Sequence, residues 1–197
     1  MKTPTYALAL LLSTLTAACG STPNISTRSA PAAVAPVEAR QIPLTVSRIE
    51  VEVPRSLSVS EANSYYPIAD IVWRGDPIGD RHAQVADILE TGFTAGTAPL
   101  AGTIPVILQV QAVRFHSISE KARYSVGGVH NIIFDLTVLR AEDGLPLAPT
   151  RRVEANLPAL GGTAAIEADR RGETQKVRIH GFLQQVIRQE LSRFVTG

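Results

Sequence analysis

Residues 131–138, Asn-Ile-Ile-Phe-Asp-Leu-Thr-Val, are the stretch of this 197-residue chain that decides its fold. Every second residue from Ile132 to Val138 is apolar. The alternate residues, from Asn131 to Thr137, include three polar side chains: Asn131, Asp135 and Thr137. An alternation with a period of two is the pattern of a strand that buries one face. The sequence therefore predicts a strand whose other face meets water or a partner.

The same alternation appears on both sides of this strand. Residues 104–116 alternate before it, and residues 152–157 alternate after an Asp143-Gly144 pair, which is typical of a short hairpin turn. At least three consecutive antiparallel strands are therefore expected. Closer to the N-terminus, residues 49–53 predict another strand that Pro54 ends, and residues 68–73 predict a short one.

Two amphipathic helices complete the pattern. Asp80 is a candidate N-cap for a short helix with apolar residues on one face between Val85 and Phe93, and residues 179–194 carry an apolar stripe at intervals of three and four. The polar, glycine-bounded segment 161–172 between strands and last helix is predicted to be a loop. We expect an α+β fold: a two-layer sandwich of a mainly antiparallel sheet of about four strands, with two helices on one face.

Composition narrows the class of protein. Removing residues 1–18 takes away Lys2 and no acidic residue, which leaves 18 basic and 18 acidic side chains and a net charge of zero. A nucleic-acid binder normally needs a basic excess, so this class is not expected. With a single cysteine, no intramolecular disulfide is possible. Nothing in the sequence indicates an oligomeric state.

The single cysteine follows an export signal. Lys2 is the positive n-region, residues 6–12 form a short apolar h-region, and Ala17-Ala18 supply small residues before Cys19. The run Leu15-Thr16-Ala17-Ala18-Cys19-Gly20 resembles the lipobox of bacterial lipoproteins, although Thr16 stands where that motif usually has Leu, Val or Ile. The resemblance implies cleavage before Cys19 and lipidation of its sulfur. The alternative is an ordinary secretory signal cut after Ala18, with an incidental free thiol.

These features divide the chain into three parts. Residues 1–18 are the predicted lipoprotein signal peptide, and residues 19–41 are the lipidated cysteine and a flexible tether rich in Ser, Thr, Ala and Pro. Residues 42–197 are the predicted single periplasmic domain. No later segment approaches 18 uninterrupted apolar residues, so the lipid would be the membrane attachment.

No recognised catalytic, cofactor or metal motif is present. The four histidines are not at metal-ligand spacing: His82, His116, His130 and His180. No serine lies in a nucleophile elbow, and the pairs Gly127-Gly128 and Gly161-Gly162 are typical of turns rather than of phosphate loops. We therefore expect no catalytic residue, no cofactor and no metal.

Two surface features are candidate binding elements. Bulky aromatics gather in one segment as Tyr65, Tyr66 and Trp73, beside Arg74, and such side chains are favoured at interfaces. The alternative is that they pack against the sheet edge. A second candidate is a basic patch built from two segments that the strands would have to align: Arg114, His116, Lys121 and Arg123 with Arg151 and Arg152. Its alternative is a solvated sheet edge that blocks aggregation.

Segments of the body resemble a group of small alphaproteobacterial lipoproteins that has no assigned function. The segments are Asp70-Ile71-Val72-Trp73-Arg74-Gly75-Asp76-Pro77, Gly79-Asp80-Arg81-His82, Gly127-Gly128-Val129-His130 and Thr174-Gln175-Lys176. The resemblance covers residues 44–195. It implies a lipid-anchored periplasmic domain and carries over no catalytic residue.

Two functions are consistent with the sequence. The first is a non-enzymatic envelope lipoprotein, facing the periplasm, that binds a protein, lipid or glycan component through its open sheet face and loops. The second is a hydrolase that acts on envelope material, with an acid or base among four residues: Asp70, Asp76, Asp80 and His82. A cleft with converging titratable groups favours the enzyme, whereas exposed aromatics favour the binder.

Overall fold

The structure is a computed structural model, and it describes residues 42–195. The predicted signal peptide, residues 1–18, and the predicted lipidated cysteine with its tether, residues 19–41, lie outside the described residues. These two assignments and the domain boundaries therefore stay predictions.

Strands and helices fill most of residues 42–195. The strands are β1 (Leu44–Glu52), β2 (Ile71–Val72), β3 (Ile104–His116), β4 (Gly128–Arg140) and β5 (Arg151–Ala159). The helices are α1 (Arg81–Thr97), α2 (Glu120–Arg123), α3 (Gly162–Arg170) and α4 (Gln175–Leu191), followed by a 3-10 turn at Ser192–Phe194. None of these helices combines the length and apolar character that are needed to cross a membrane.

The strands form one open sheet in the order β1-β3-β4-β5, with β2 beside β3. The pairs β3–β4 and β4–β5 are antiparallel, which confirms the predicted antiparallel run. Strand β1 lies parallel to the first part of β3, and the two residues of β2 lie parallel to its last two residues, Phe115 and His116. The α+β sandwich is confirmed, with five strands rather than about four.

The core lies between one sheet face and the helices α1 and α4. Alternate residues of β3 and β4, such as Leu108 and Phe134, are buried against apolar residues of α1 and α4, such as Phe93 and Leu183. The opposite face carries the polar residues of the alternation, so it is the open face of the sheet. Asp135, which was predicted to point away from the core, forms a two-point ion pair there with Arg152 of β5.

Two glycines set the distance between α1 and α4. A Cβ atom on Gly92 would lie 2.8 Å from Leu183 Cβ, and one on Gly96 would lie 2.5 Å from Ile187 Cγ2. Because real carbon atoms do not approach so closely, only glycine at these positions allows the present contact between the helices. Helix α1 is also longer than predicted, since it continues past both glycines to Thr97.

Two local predictions need correction. The segment 161–172 is not a loop, because residues 162–170 form helix α3. Only Ala165 and Ala168 are buried on this helix, so its sequence lacks a strong apolar period. The Asp143-Gly144 turn lies inside a longer connection between β4 and β5, although Gly144 has the positive φ of 71° that favours glycine.

Candidate functional site

The segment 61–70, which we name the tyrosine loop, is held against the rest of the domain at both ends. Near its start, the Ser119 hydroxyl donates to the Ser64 carbonyl at 2.5 Å, and Asn63 Oδ1 accepts from the Lys121 backbone at 2.7 Å. At its end, the Asp70 carboxylate accepts from the backbone and hydroxyl of Ser58 at 2.9 and 2.7 Å. These bonds hold the loop in one position beside the end of β3.

Tyr65 and Tyr66 protrude from this loop, with 56% and 68% of their surface exposed. The Tyr66 ring stacks on His116, with ring centroids 4.6 Å apart, and its hydroxyl accepts from Arg114 at 3.0 Å. The Lys121 ammonium lies 4.6 Å from the centroid of the Tyr65 ring. Each ring thus has one supported side and a large exposed remainder.

The tyrosines form one wall of a surface groove of about 530 Å³, which we name the tyrosine groove. Strands β3, β4 and β5 contribute His116, Asn131 and Asn156, whose backbones are partners across the sheet. Asn131 Nδ2 donates to Asn156 Oδ1 at 2.7 Å. Val129 of β4 adds apolar lining. The volume lies within the range of small-ligand sites, about 300–1,000 Å³.

The structure separates the four residues predicted for partner binding. Tyr65 and Tyr66 line the groove, but Trp73 is fully buried, so its assignment to a recognition surface needs correction. Its ring meets Phe115 edge-on at 5.7 Å, and its Nε1 donates to Asp76 at 2.8 Å. Trp73 therefore packs inside the domain, in agreement with the alternative that these aromatics pack against the sheet edge.

Arg74 is a support of the tyrosine loop rather than a free cation. Its guanidinium pairs with Glu61 at the start of the loop and with Glu120 of α2, at 3.3 Å. Glu61 also accepts two hydrogen bonds from the buried Arg81 at the start of α1. These bonds, with Arg81 first, lower the pKa of Glu61 and keep it ionised.

Each candidate of the hydrolase alternative has a structural partner. Asp80 caps α1 by accepting from the Ala83 backbone at 3.1 Å, and it pairs through both oxygens with Arg55. The hydrogen bonds from Arg55 are the main cause that lowers the pKa of Asp80 to about 2. Such a carboxylate is a weak base at neutral pH.

The other three candidates are also engaged. Asp70 accepts from Ser58, which lowers its pKa, and Asp76 accepts from Trp73 and from Lys176 at 3.2 Å. His82 Nε2 donates to the Leu57 carbonyl at 3.1 Å. Within the described part of the chain, no three His, Cys, Asp or Glu side chains are placed to hold a metal ion.

The predicted basic patch does not form as a free cationic surface. Arg123 pairs with Asp169, Arg151 with Glu190 and Arg152 with Asp135. His116 is buried, and its Nε2 donates to the Pro67 carbonyl at 2.8 Å. Arg114 and Lys121 differ from these three arginines, because neither makes an ion pair among residues 42–195. Both contact the groove tyrosines instead.

A buried polar cluster beneath the groove was missed by sequence reasoning. Ser117, which lines the groove, lies 2.8 Å from His130 Nδ1, and its hydroxyl reaches Gln175 Oε1 at 3.4 Å. His130 is fully buried, and its Nε2 has no hydrogen-bond partner in the structure of residues 42–195. The alternation of β4 could have predicted the burial of His130, because His130 lies two residues before the inward-facing Ile132 and so points to the same side of the sheet.

Burial and two neighbouring positive charges keep His130 neutral. Desolvation is the main cause that lowers its pKa to about 4, followed by the charges of Arg178 and Arg123. An unpaired N–H in the core is costlier than an unpaired lone pair, which favours Nδ1–H donating to Ser117 and an unprotonated Nε2. Ser117 is only 1% exposed, so the cluster stabilises the groove floor and does not present a nucleophile.

The fold and groove define a small α+β domain with an open sheet and an aromatic surface site. The chain belongs to the Family of unknown function (DUF6778), whose sequence model matches residues 44–196. No curated protein matches the sequence significantly. The family is thus established, and no activity comes with it.

Solved structures with a similar chain course share little sequence. A Xanthomonas campestris protein of the DUF330 family is 16% identical, with 80% of this chain and 88% of that one covered at a TM-score of 0.49. A Caulobacter crescentus CB15 protein, provisionally described as a lipoprotein, is also 16% identical. That comparison covers 76% of this chain and 91% of the other, at a TM-score of 0.36.

Proposed function

We propose that this protein is a lipid-anchored, non-enzymatic binding module of the bacterial envelope that recognises an envelope component in the tyrosine groove. The observation that carries the proposal is the pair of exposed tyrosines, Tyr65 and Tyr66, held in fixed positions over a concave site. Rigid aromatic side chains supply large contact area and lose little conformational entropy on binding.

The groove favours binding over catalysis. The residues that line it include no Asp, Glu, Lys or Arg. Its histidine, His116, donates Nε2–H to the Pro67 carbonyl, which makes that nitrogen unavailable as a base. The carboxylates of the hydrolase alternative hold loops and helix ends instead.

The anchor is supported by the sequence around Cys19. A diacylglycerol on this sulfur would attach the protein to a membrane, with residues 20–41 as a tether and the domain in the periplasm. Gly20 stands where enterobacterial lipoproteins retained in the inner membrane have Asp, which favours the outer membrane. We also propose that the family is one of alphaproteobacterial lipoproteins.

Chemical crosslinking in intact cells tests the binding role. The parent protein should form a discrete adduct that a Tyr65→Ala/Tyr66→Ala variant loses. Tyr124→Ala is the matched control, because Tyr124 is 57% exposed and does not line the groove. An adduct that persists in the double variant, or that disappears equally in the control, would contradict the proposal.

A further inference from the structure

We propose that the ligand of the tyrosine groove is an acidic glycan. This inference rests on the proposed function, since it names the chemical class bound at the same site. Three features support it: an uncharged polar floor, aromatic walls, and two cations, Arg114 and Lys121, that contact these walls and that we name the rim.

The floor offers hydrogen bonds suited to hydroxyl groups. Asn131 and Asn156 are joined by one hydrogen bond from Nδ2 to Oδ1. This bond leaves the Asn131 oxygen as an acceptor and the Asn156 amino group as a donor. A sugar hydroxyl both donates and accepts, so neighbouring hydroxyls of one ring match this pair. No charged residue lines the floor, which favours an uncharged ligand body.

The walls offer aromatic surface. The Tyr66 ring is supported by His116 and the Tyr65 ring by Lys121, which leaves other ring surface of each tyrosine exposed. The face of an aromatic ring carries partial negative charge, and the C–H groups of a sugar ring carry partial positive charge. A pyranose can therefore stack on a tyrosine while its hydroxyls reach the amides of the floor.

The rim adds a preference for negative charge. Arg114 and Lys121 contact the two tyrosines, and neither lies within ion-pair distance of a carboxylate among residues 42–195. The charge of Arg114 also acts at longer range on Asp70, whereas Lys121 acts on none of the carboxyl groups in this part of the chain whose pKa is shifted. Many other arginines of this domain do have such partners, including Arg152 and Arg123. Acidic substituents on the glycan would meet Arg114 and Lys121.

Two other ligand classes fit the groove less well. An extended peptide binds by adding a strand to a free sheet edge. The groove floor is centred on β4, which is paired on both sides, with His116 of β3 and with Asn156 of β5. The free sheet edge on this side belongs to β5, so strand addition would occur beside the floor and would not use its amides. A bilayer would contact the protruding tyrosines, but it would leave the paired amides of Asn131 and Asn156 in the groove unused.

Direct binding measurements with four probes test the inference. The full chain, purified in detergent, is titrated with a hyaluronan hexasaccharide, neutral chitohexaose, a poly-glutamate peptide and phosphatidylglycerol vesicles. We expect the hyaluronan fragment to bind at least about tenfold more tightly than chitohexaose. Tyr66→Ala should weaken the binding of the hyaluronan fragment at least about tenfold. Tyr124→Ala should leave the affinity unchanged. Lys121→Gln should reduce the preference for the acidic glycan.

Several results would overturn the inference. They are Tyr66-dependent binding of the peptide or the vesicles, equal affinity for both glycans, and no glycan binding at all. The crosslinking experiment separates this failure from failure of the proposed function. A Tyr66-dependent adduct that contains a protein and no sugar would leave the binding role standing and contradict the glycan.

Discussion

The buried His130 makes the stability of this domain depend on pH. Its pKa falls from an ordinary 6.5 to about 4 in the folded protein, mainly because of burial. Below pH 6.5, His130 is protonated in the unfolded chain but stays neutral in the folded protein. Its contribution to the free energy of unfolding is therefore complete above pH 6.5 and is lost as the pH falls towards 4. The shift corresponds to about 3 kcal/mol. His180, whose pKa is also lowered by burial first, acts in the same direction.

We therefore expect the free energy of unfolding to decrease between pH 6.5 and pH 4. Denaturant titrations at pH 7, 5.5 and 4.5 measure it. His130→Leu should flatten much of this dependence, and His180→Gln should have a smaller effect because His180 is less buried. Asp80, whose pKa is lowered from 3.8 to about 2, keeps most of its stabilising contribution in this range and loses it only as the pH falls towards 2. Equal slopes in the parent and in His130→Leu would contradict this account.

Replacing Trp73 and replacing Tyr66 should have different effects on the stability of the domain. Trp73→Ala removes a fully buried ring and should cost about 3–5 kcal/mol of unfolding free energy. Tyr66→Ala removes an exposed ring and should cost about 1 kcal/mol or less. Denaturant melts of both variants make the comparison. A Trp73→Ala protein as stable as Tyr66→Ala would show that the tryptophan is not core.

Sequence reasoning found half of the aromatic site. It selected Tyr65, Tyr66, Trp73 and Arg74 as one group because they lie close together in the chain. Of these, only Trp73 is fully buried, and Gly75 leaves room for its ring, since a Cβ there would lie 2.3 Å from it. Asn131 and Asn156 entered the site through cross-strand pairing, which a single sequence does not reveal.

The contact between α1 and α4 gives a test at the level of elements. A Cβ on Gly96 would lie 2.5 Å from Ile187 and 2.8 Å from the Gln184 backbone, so Gly96→Ala must separate the helices. We expect a loss of about 1–3 kcal/mol. Gly181→Ala is the matched control in α4, since nothing lies within 4 Å of its added Cβ. That change should stabilise by about 0.5–1 kcal/mol.

Thermal melts of these two glycine variants show whether the α1–α4 contact or the helix propensity of alanine has the larger effect. Alanine is a better helix former than glycine, so propensity alone predicts that both variants melt higher. A higher melting temperature for Gly96→Ala would mean that α1 and α4 do not pack as described. Gly92, which contacts Leu183, provides a second position at which to repeat the test.

Elements with a strong hydrophobic period were predictable, and those without one were not. The β4 alternation and the α4 stripe each bury a continuous face, so pattern and structure agree. Helix α3 buries two alanines only and therefore gives no readable period. The short strand β2 lies within the segment 68–73 that was predicted as a strand, although only two of those residues pair. The parallel pairing of β1 with β3 depends on a crossover through α1, which period alone does not specify.

At the scale of the whole molecule, the proposed protein is a binding domain attached to a membrane by a lipid on Cys19. Cys19→Ser should abolish incorporation of a fatty-acid analogue, because a serine oxygen cannot form the thioether that holds the lipid. Metabolic labelling measures lipidation, and fractionation then shows whether the labelled protein is in the inner or the outer membrane. Labelling of the variant at the parent level would contradict lipidation at Cys19. Residence entirely in the inner membrane would contradict the proposed outer-membrane location.

The tyrosine groove is the surface at which we propose that the protein binds an envelope component. A photo-crosslinking amino acid placed at position 66 in living cells, compared with the same group at position 124, tests this proposal most directly. Both positions are exposed tyrosines, but only position 66 lines the groove. We expect a discrete light-dependent adduct from position 66 and none from position 124. Equal adducts from both positions, or none from position 66, would contradict it.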